Sequence, residues 1–135
     1  MPWQLDTSVA VPLLVFSHTA HADVSATVGR RRLRLGAHAA LETYSVLTRL
    51  PGDARLTALD ASHLVTSRFG EPTPLVAGRL SSLIADLAAL GIAGGAVYDA
   101  LIAVTAADAG DTLLTRDSRA AATYTKLGVS YRLLD

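Results

Sequence analysis

Short apolar runs recur along this chain with helical stretches between them, and that alternation constrains the fold more tightly than any other feature. Trp3 to Asp6, Leu33 to Leu35, Leu113 to Thr115 and Val129 to Leu133 read as strands. The pattern is that of a parallel α/β sheet, whose strands are joined through helices. The first helix is expected over Val9 to Val15, with Pro12 tolerable only in its first turn. A second opens at Ser17-His18-Thr19-Ala20-His21 and stops at Gly29, a natural C-cap. A third carries Glu42 and ends at Pro51-Gly52. Thr57 and Asp60 resemble a capping box for a helix running to about Phe69. Leu75, Leu80, Leu83, Ile84, Leu87 and Leu90 form an apolar stripe ended by Gly91. Tyr98 to Ala107 is a helix closed by Gly110, and Ser118 to Leu127 another closed by Gly128. No linker, repeat or low-complexity stretch divides residues 1–135, so one domain is expected.

Composition removes several classes of function. Half of the 135 residues are hydrophobic, which argues for a packed core and against disorder. The chain has no cysteine, so disulfides, zinc–thiolate sites and cysteine nucleophiles are excluded. The start lacks the basic region of a signal peptide, and no apolar run reaches membrane-spanning length. A soluble cytoplasmic protein is therefore expected. Formal net charge is zero, so nucleic-acid binding must come from local clusters. Of the twelve basic residues only Lys126 is lysine. The scatter of the arginines favours genome composition over phosphate recognition as the reason.

Against this apolar background four acids stand out. Asp6 and Asp117 each close an apolar run, directly after a strand, while Glu42 and Asp99 lie inside apolar helical segments near the helix start. Carboxylates are seldom placed beside a core without compensation. In open α/β sheets ligands bind outside the carboxyl ends of the strands, and all four acids can face that edge. Four gathered carboxylates repel one another, and Mg²⁺ or Mn²⁺ removes the penalty. Such a cation orients a phosphate and lowers the pKa of a bound water, the chemistry of a metal-dependent hydrolase. The plainer reading is that each acid caps a helix or balances its dipole, and for Asp99 or Asp117 taken alone that reading is the stronger. Asp108 falls on the opposite side of its helix from Asp99, and Asp111 lies before a strand rather than after one. Both read as solvent residues.

The ordered motifs resemble a known family. Leu5-Asp6-Thr7-Ser8-Val9, Ala40-Leu41-Glu42, Tyr98-Asp99-Ala100-Leu101-Ile102-Ala103, Leu114-Thr115-Arg116-Asp117 and the tail Tyr124 to Val129 resemble PIN-domain nucleases, in particular the VapC toxins of bacterial toxin–antitoxin pairs. The resemblance spans nearly the whole chain. It implies a three-layer fold with a central parallel sheet of about five strands, and a Mg²⁺- or Mn²⁺-dependent endoribonuclease. It implies Asp6 and Asp99 as direct metal ligands, with Glu42 and Asp117 completing the acidic pocket directly or through water. It further implies a homodimer, an RNA substrate and a cognate antitoxin.

Other residues carry two readings each. Ser8 and Thr115, beside the acids, can bond a carboxylate or a metal-bound water, or else serve caps and turns. Arg116 is a substrate candidate by position, and Arg49, seven residues after Glu42, either contacts a phosphate or balances rim charge. Arg30-Arg31-Arg32 with Arg34 is the only dense basic cluster; a solvated helix C-terminus is favoured over an RNA or antitoxin contact. His18 and His21 have a metal-compatible spacing but no third ligand, and His38 and His63 read as surface or edge residues. Two rivals remain: an RNA-processing nuclease without an antitoxin, and a receiver-like signalling domain. The latter wants paired early acids and a lysine after a late strand, and the chain has neither.

Overall fold

Leu113 and Leu114 are neighbours in one strand and both are fully buried, so the sheet they belong to is covered on both faces. The structure is a computed structural model that describes residues 2–135. Its strands are β1 (Trp3–Leu5), β2 (Leu33–Arg34), β3 (Thr112–Thr115) and β4 (Tyr131–Leu133). Its α-helices are α1 (Thr7–Leu14), α2 (His21–Val28), α3 (Ala37–Leu47), α4 (Ala58–Phe69), α5 (Arg79–Leu90), α6 (Ala96–Asp108) and α7 (Ser118–Leu127). All strand pairs are parallel, in the order β2-β1-β3-β4. The sheet thus has four strands among the described residues rather than about five. Beyond β2 a single parallel bridge joins Gly36 to Thr73, and Pro72 and Pro74 on either side of Thr73 have no N–H to extend it into a fifth strand.

The two sheet faces hold separate cores. Trp3, Leu5 and Leu114 pack with Val9, Leu13, Val24 and Leu47 from α1 to α3. Leu113 faces the other way and packs with Ile102, Ala103, Ala120 and Tyr124 of α6 and α7. Full burial of one such leucine contributes about 1.5–3 kcal/mol. Among the described residues no helix is long and apolar enough to cross a membrane.

Two local expectations are corrected. Pro12 is the sixth residue of α1, not a first-turn residue. Its missing N–H leaves the Ser8 carbonyl without a helical donor, and Arg116 Nη1 approaches that oxygen at 3.5 Å. The apolar stripe near residue 80 begins at Arg79, with Leu75 packing from the preceding loop. Leu83 and Leu87 face the core, whereas Leu80 and Ile84 lie on the solvent side.

The chain order places a crevice. After β1 the connection leads to β2 on one side, and the later strand β3 takes β1's other side, so the β1/β3 boundary is a topological switch point. Asp6 and Asp117 lie at the carboxyl ends of β1 and β3, the two strands that flank it.

Candidate active site

Asp6 is the most firmly held of the acids. It follows β1 directly, is 4% exposed and caps the N-terminus of α1. Ser8 donates to Asp6 Oδ1 from its backbone nitrogen at 3.0 Å and from its hydroxyl at 2.5 Å. The Tyr124 hydroxyl, arriving from α7, donates to Oδ2 at 2.9 Å. Burial raises the pKa of Asp6, and the hydrogen bonds from Ser8, Thr115 and Tyr124 oppose that rise. Burial also raises the Tyr124 phenol far above its usual range, with the negative charge of Asp6 adding to the effect. The phenol therefore stays protonated and donates.

The other three acids approach from three helices. Asp117 caps α7, accepting from the backbone nitrogens of Arg119 at 2.9 Å and Ala120 at 3.4 Å. Glu42 lies in the middle of α3 rather than near its start. Its Oε1 accepts from the Thr7 hydroxyl at 2.7 Å, and its Oε2 lies 3.5 Å from His38 Nε2, one helical turn back and without hydrogen-bond geometry. Asp99 stands in the first turn of α6 and has no hydrogen-bond or ion-pair partner among the described residues. Burial, then the charges of Asp117, Asp6 and Glu42, raise its pKa to about 6, against an opposing pull from Arg119.

These elements enclose a pocket of about 180 Å³ lined by Asp6, Thr7, Ser8, Glu42, Asp99 and Asp117, with Ile102 and Ala120 as its apolar wall. A larger cavity of about 650 Å³ lies away from these acids, between α5, α6 and the turn into β4, and gathers no comparable set of acids. The smaller pocket is the one at the switch point, where ligands bind in open α/β sheets. Its donors are all oxygens, which suits a hard divalent cation. Burial raises the Asp99 pKa most, and the charges of Asp117, Asp6 and Glu42 add to it, a repulsion that a cation relieves. Among the described residues no three acid or histidine side chains stand close enough together to hold one ion as placed.

Sequence reasoning brought the four acids together and misplaced several neighbours. Thr115 is fully buried; its hydroxyl accepts from Asp117 N at 3.1 Å and lies 3.4 Å from Ser8 Oγ. Ser8 Oγ also accepts from Arg116 N at 2.8 Å, so Ser8 and Thr115 tie the ends of β1 and β3 together. The Arg116 guanidinium turns to the Ser8 carbonyl, with Nε buried and unpaired, and is not part of the pocket lining. Arg49 lies past the end of α3 on the exposed surface and does not line the pocket either. His18 Nδ1 accepts from Ala20 N, and His21 Nδ1 lies 2.9 Å from the Pro12 carbonyl, so both serve the α1–α2 corner.

Asp108 is at the surface, paired with Arg79 at 3.0 Å. Asp111 is not a solvent residue: it is 4% exposed and accepts from Gln4 Nε2 at 3.0 Å and twice from Arg34 Nη2, at 2.7 and 2.9 Å. Arg34 therefore leaves the basic cluster for a buried ion pair. Arg31 covers the Trp3 ring at 3.7 Å, at the start of β1 and so at the opposite sheet edge from the pocket. Thr7, His38 and Tyr124 were missed. Thr7 had a signal, its place beside Asp6; Tyr124 stood in the tail that carries the resemblance, but nothing local pointed to Asp6, 118 residues away. His38 is half-buried, packs beside Glu42 and stacks on Tyr98.

Comparison with known proteins agrees with this geometry. The PIN domain family model matches residues 4–126. The chain is 53% identical over 128 residues to Ribonuclease VapC27 of Mycobacterium tuberculosis, covering 95% of this chain and 93% of that protein. It is 41% identical over 130 residues to Ribonuclease VapC40 of the same species, covering 96% of each. A solved structure of VapBC2 from Rickettsia felis, bound to a fragment of promoter DNA, superposes over 100% of both chains with a TM-score of 0.70 and 16% identity. That last likeness shows the shared fold. The match along nearly the full length, with the four acids at one sheet edge, places the chain in the PIN-domain family, among the VapC proteins.

Proposed function

We propose that the chain is a Mg²⁺- or Mn²⁺-dependent endoribonuclease and the toxin of a VapBC-type toxin–antitoxin pair. The observation that carries this reading is the gathering of Asp6, Glu42, Asp99 and Asp117 in one pocket at the switch point of the sheet. Identity of 53% to a protein named as a ribonuclease supports the reaction class. Asp6 and Asp99 are the residues to hold the ion, with Glu42 and Asp117 beside it directly or through water. When bound, the ion neutralises the scissile phosphate and acidifies a water.

The chain's own groups do the rest. Ser8 and Tyr124 fix both oxygens of Asp6, which keeps the carboxylate aimed without rearrangement. Glu42, held by Thr7 through one oxygen, has its other oxygen free to orient an attacking water and take its proton. Asp99 is unrestrained by any hydrogen bond among the described residues and adjusts to its ligand. Exposed Leu59, Leu80 and Ile84 on α4 and α5 supply apolar surface for an antitoxin or a second copy in a homodimer.

The test is expression with and without the adjacent gene, followed by mapping of RNA 5′ ends. Growth arrest with new RNA ends, relieved by the adjacent gene and cancelled by Asp6→Asn, is the expected result. Cleavage that persists in Asp6→Asn would remove the pocket from the reaction.

A further inference from the structure

Beside the acids lies an aromatic pair that the reaction as described does not use. His38 of α3 and Tyr98 of α6 stack with ring centroids 5.3 Å apart and planes only 11° from parallel. The pair lies beside the pocket at both ends. Tyr98 directly precedes Asp99, and His38 Nε2 lies 3.5 Å from Glu42 Oε2. The two rings differ in exposure. His38 is part-buried, with Nε2 shut off from solvent, whereas Tyr98 is 56% exposed. Leu41, three residues on from His38 and so on the same side of α3, is also exposed.

A core role does not account for a tyrosine with so much of its surface in water. Resting on His38, the ring offers a flat apolar face already held in place, so little side-chain freedom is lost when something stacks on it. The pocket needs such a surface. None of its lining residues is basic, and Arg119, with Nε 4.0 Å from Asp117 Oδ1, stands almost fully exposed beside the acids, so little side-chain charge inside the pocket holds an incoming strand. Base stacking is independent of charge and tolerates any base, because every base has a π-face.

We propose that the exposed face of Tyr98, stacked on His38 at the rim of the acidic pocket, seats one nucleobase of the RNA next to the scissile phosphate. This rests on the ribonuclease reading above and adds a subsite to it. Tyr98 touches substrate; His38 is a positioning residue that holds the ring.

The probe is a fluorescein-labelled 20-nucleotide RNA spanning a 5′ end mapped in cells, cleaved by the purified full chain with Mg²⁺. Tyr98→Ala is expected to raise KM about 5- to 100-fold, the loss of one base–aromatic stack, while kcat changes little. Tyr98→Phe and Tyr98→Trp keep the wild-type KM, and His38→Phe keeps it where His38→Ala does not. Replacing the nucleotides flanking the cleaved bond one at a time by abasic ribose locates the seated base. At one position the wild type loses the same factor as Tyr98→Ala, and Tyr98→Ala loses nothing more there. An unchanged KM in Tyr98→Ala, or equal abasic penalties in wild type and variant at every position, would overturn the proposal. So would an unchanged KM together with lost co-purification of the adjacent gene's product, which would assign the face to a protein partner. Absence of Mg²⁺-dependent cleavage by the wild type would instead overturn the ribonuclease reading, and this subsite with it.

Discussion

Replacing Asp99 by asparagine is expected to stabilise the metal-free protein while abolishing its Mg²⁺-dependent activity. Burial and three neighbouring acids lift the Asp99 pKa from 3.8 to about 6. At about 1.4 kcal/mol per pH unit, a fully transmitted effect is about 3 kcal/mol of folded-state strain at neutral pH. Asp99 is only part-buried, and solvent screening reduces this to about 1–2 kcal/mol. The folded chain binds the proton more tightly than the unfolded chain does. Stability is therefore highest below pH 3.8 as far as this group is concerned, falls as pH rises towards 6, and stays low above. Asparagine is isosteric and uncharged, so it removes the strain wherever the strain exists. Thermal melts with EDTA at pH 7.5 should show Asp99→Asn melting about 3–6 °C above wild type. At pH 4.5 only about a third of the difference should survive, because the native carboxyl is then largely protonated. Mg²⁺ at pH 7.5 should raise the wild-type melting temperature and leave the variant's unmoved. A variant that melts at or below wild type at pH 7.5, or a gap that does not shrink at pH 4.5, would refute the claim that these acids strain one another.

Tyr124→Phe removes the donor to Asp6 Oδ2 and leaves a buried carboxylate short of one bond, costing about 1–3 kcal/mol in a denaturant melt. It also takes away one of the bonds that lower the Asp6 pKa, so the pH–rate profile for RNA cleavage should move to higher pH. Gly36→Ala places a Cβ 2.9 Å from Thr105 Cγ2, in a side chain held by a 2.7 Å bond to the Leu101 carbonyl. The overlap should cost about 1–3 kcal/mol, and adding Thr105→Ser, which deletes that methyl, should recover most of it. Asp111→Asn breaks the ion pair with Arg34 and should lower stability by about 2 kcal/mol in urea, with the cleavage rate of the folded fraction unchanged, because this pair lies at the far edge of the sheet.

What was legible in the sequence was whatever depends on local pattern. Asp6 and Asp117 could be placed because strand and helix starts are written in adjacent residues, and strand ends define the ligand edge of a parallel sheet. Leu83 and Leu87 declared a helical face in the same way. That pattern could not say that Leu80 and Ile84, on the same stripe, remain uncovered, since covering depends on which elements pack there. Asp111 misled for a related reason. Its position before a strand reads as a turn, and only the approach of Arg34, 77 residues away in sequence, makes it a buried partner. The contacts of Tyr124 with Asp6 and of His38 with Tyr98 are likewise products of tertiary packing. The residue pattern read four strands and four are present; the count of about five came with the family resemblance, and beyond β2 only a single Gly36–Thr73 bridge is found among the described residues.

Anomalous diffraction from crystals soaked in Mn²⁺ reads out the divalent-metal site proposed at the four acids. A peak is expected within about 2.5 Å of carboxylate oxygens of both Asp6 and Asp99, lost in Asp99→Asn crystals. An empty pocket, or a peak on other residues while RNA cleavage remains Mn²⁺-dependent, would contradict the proposed site.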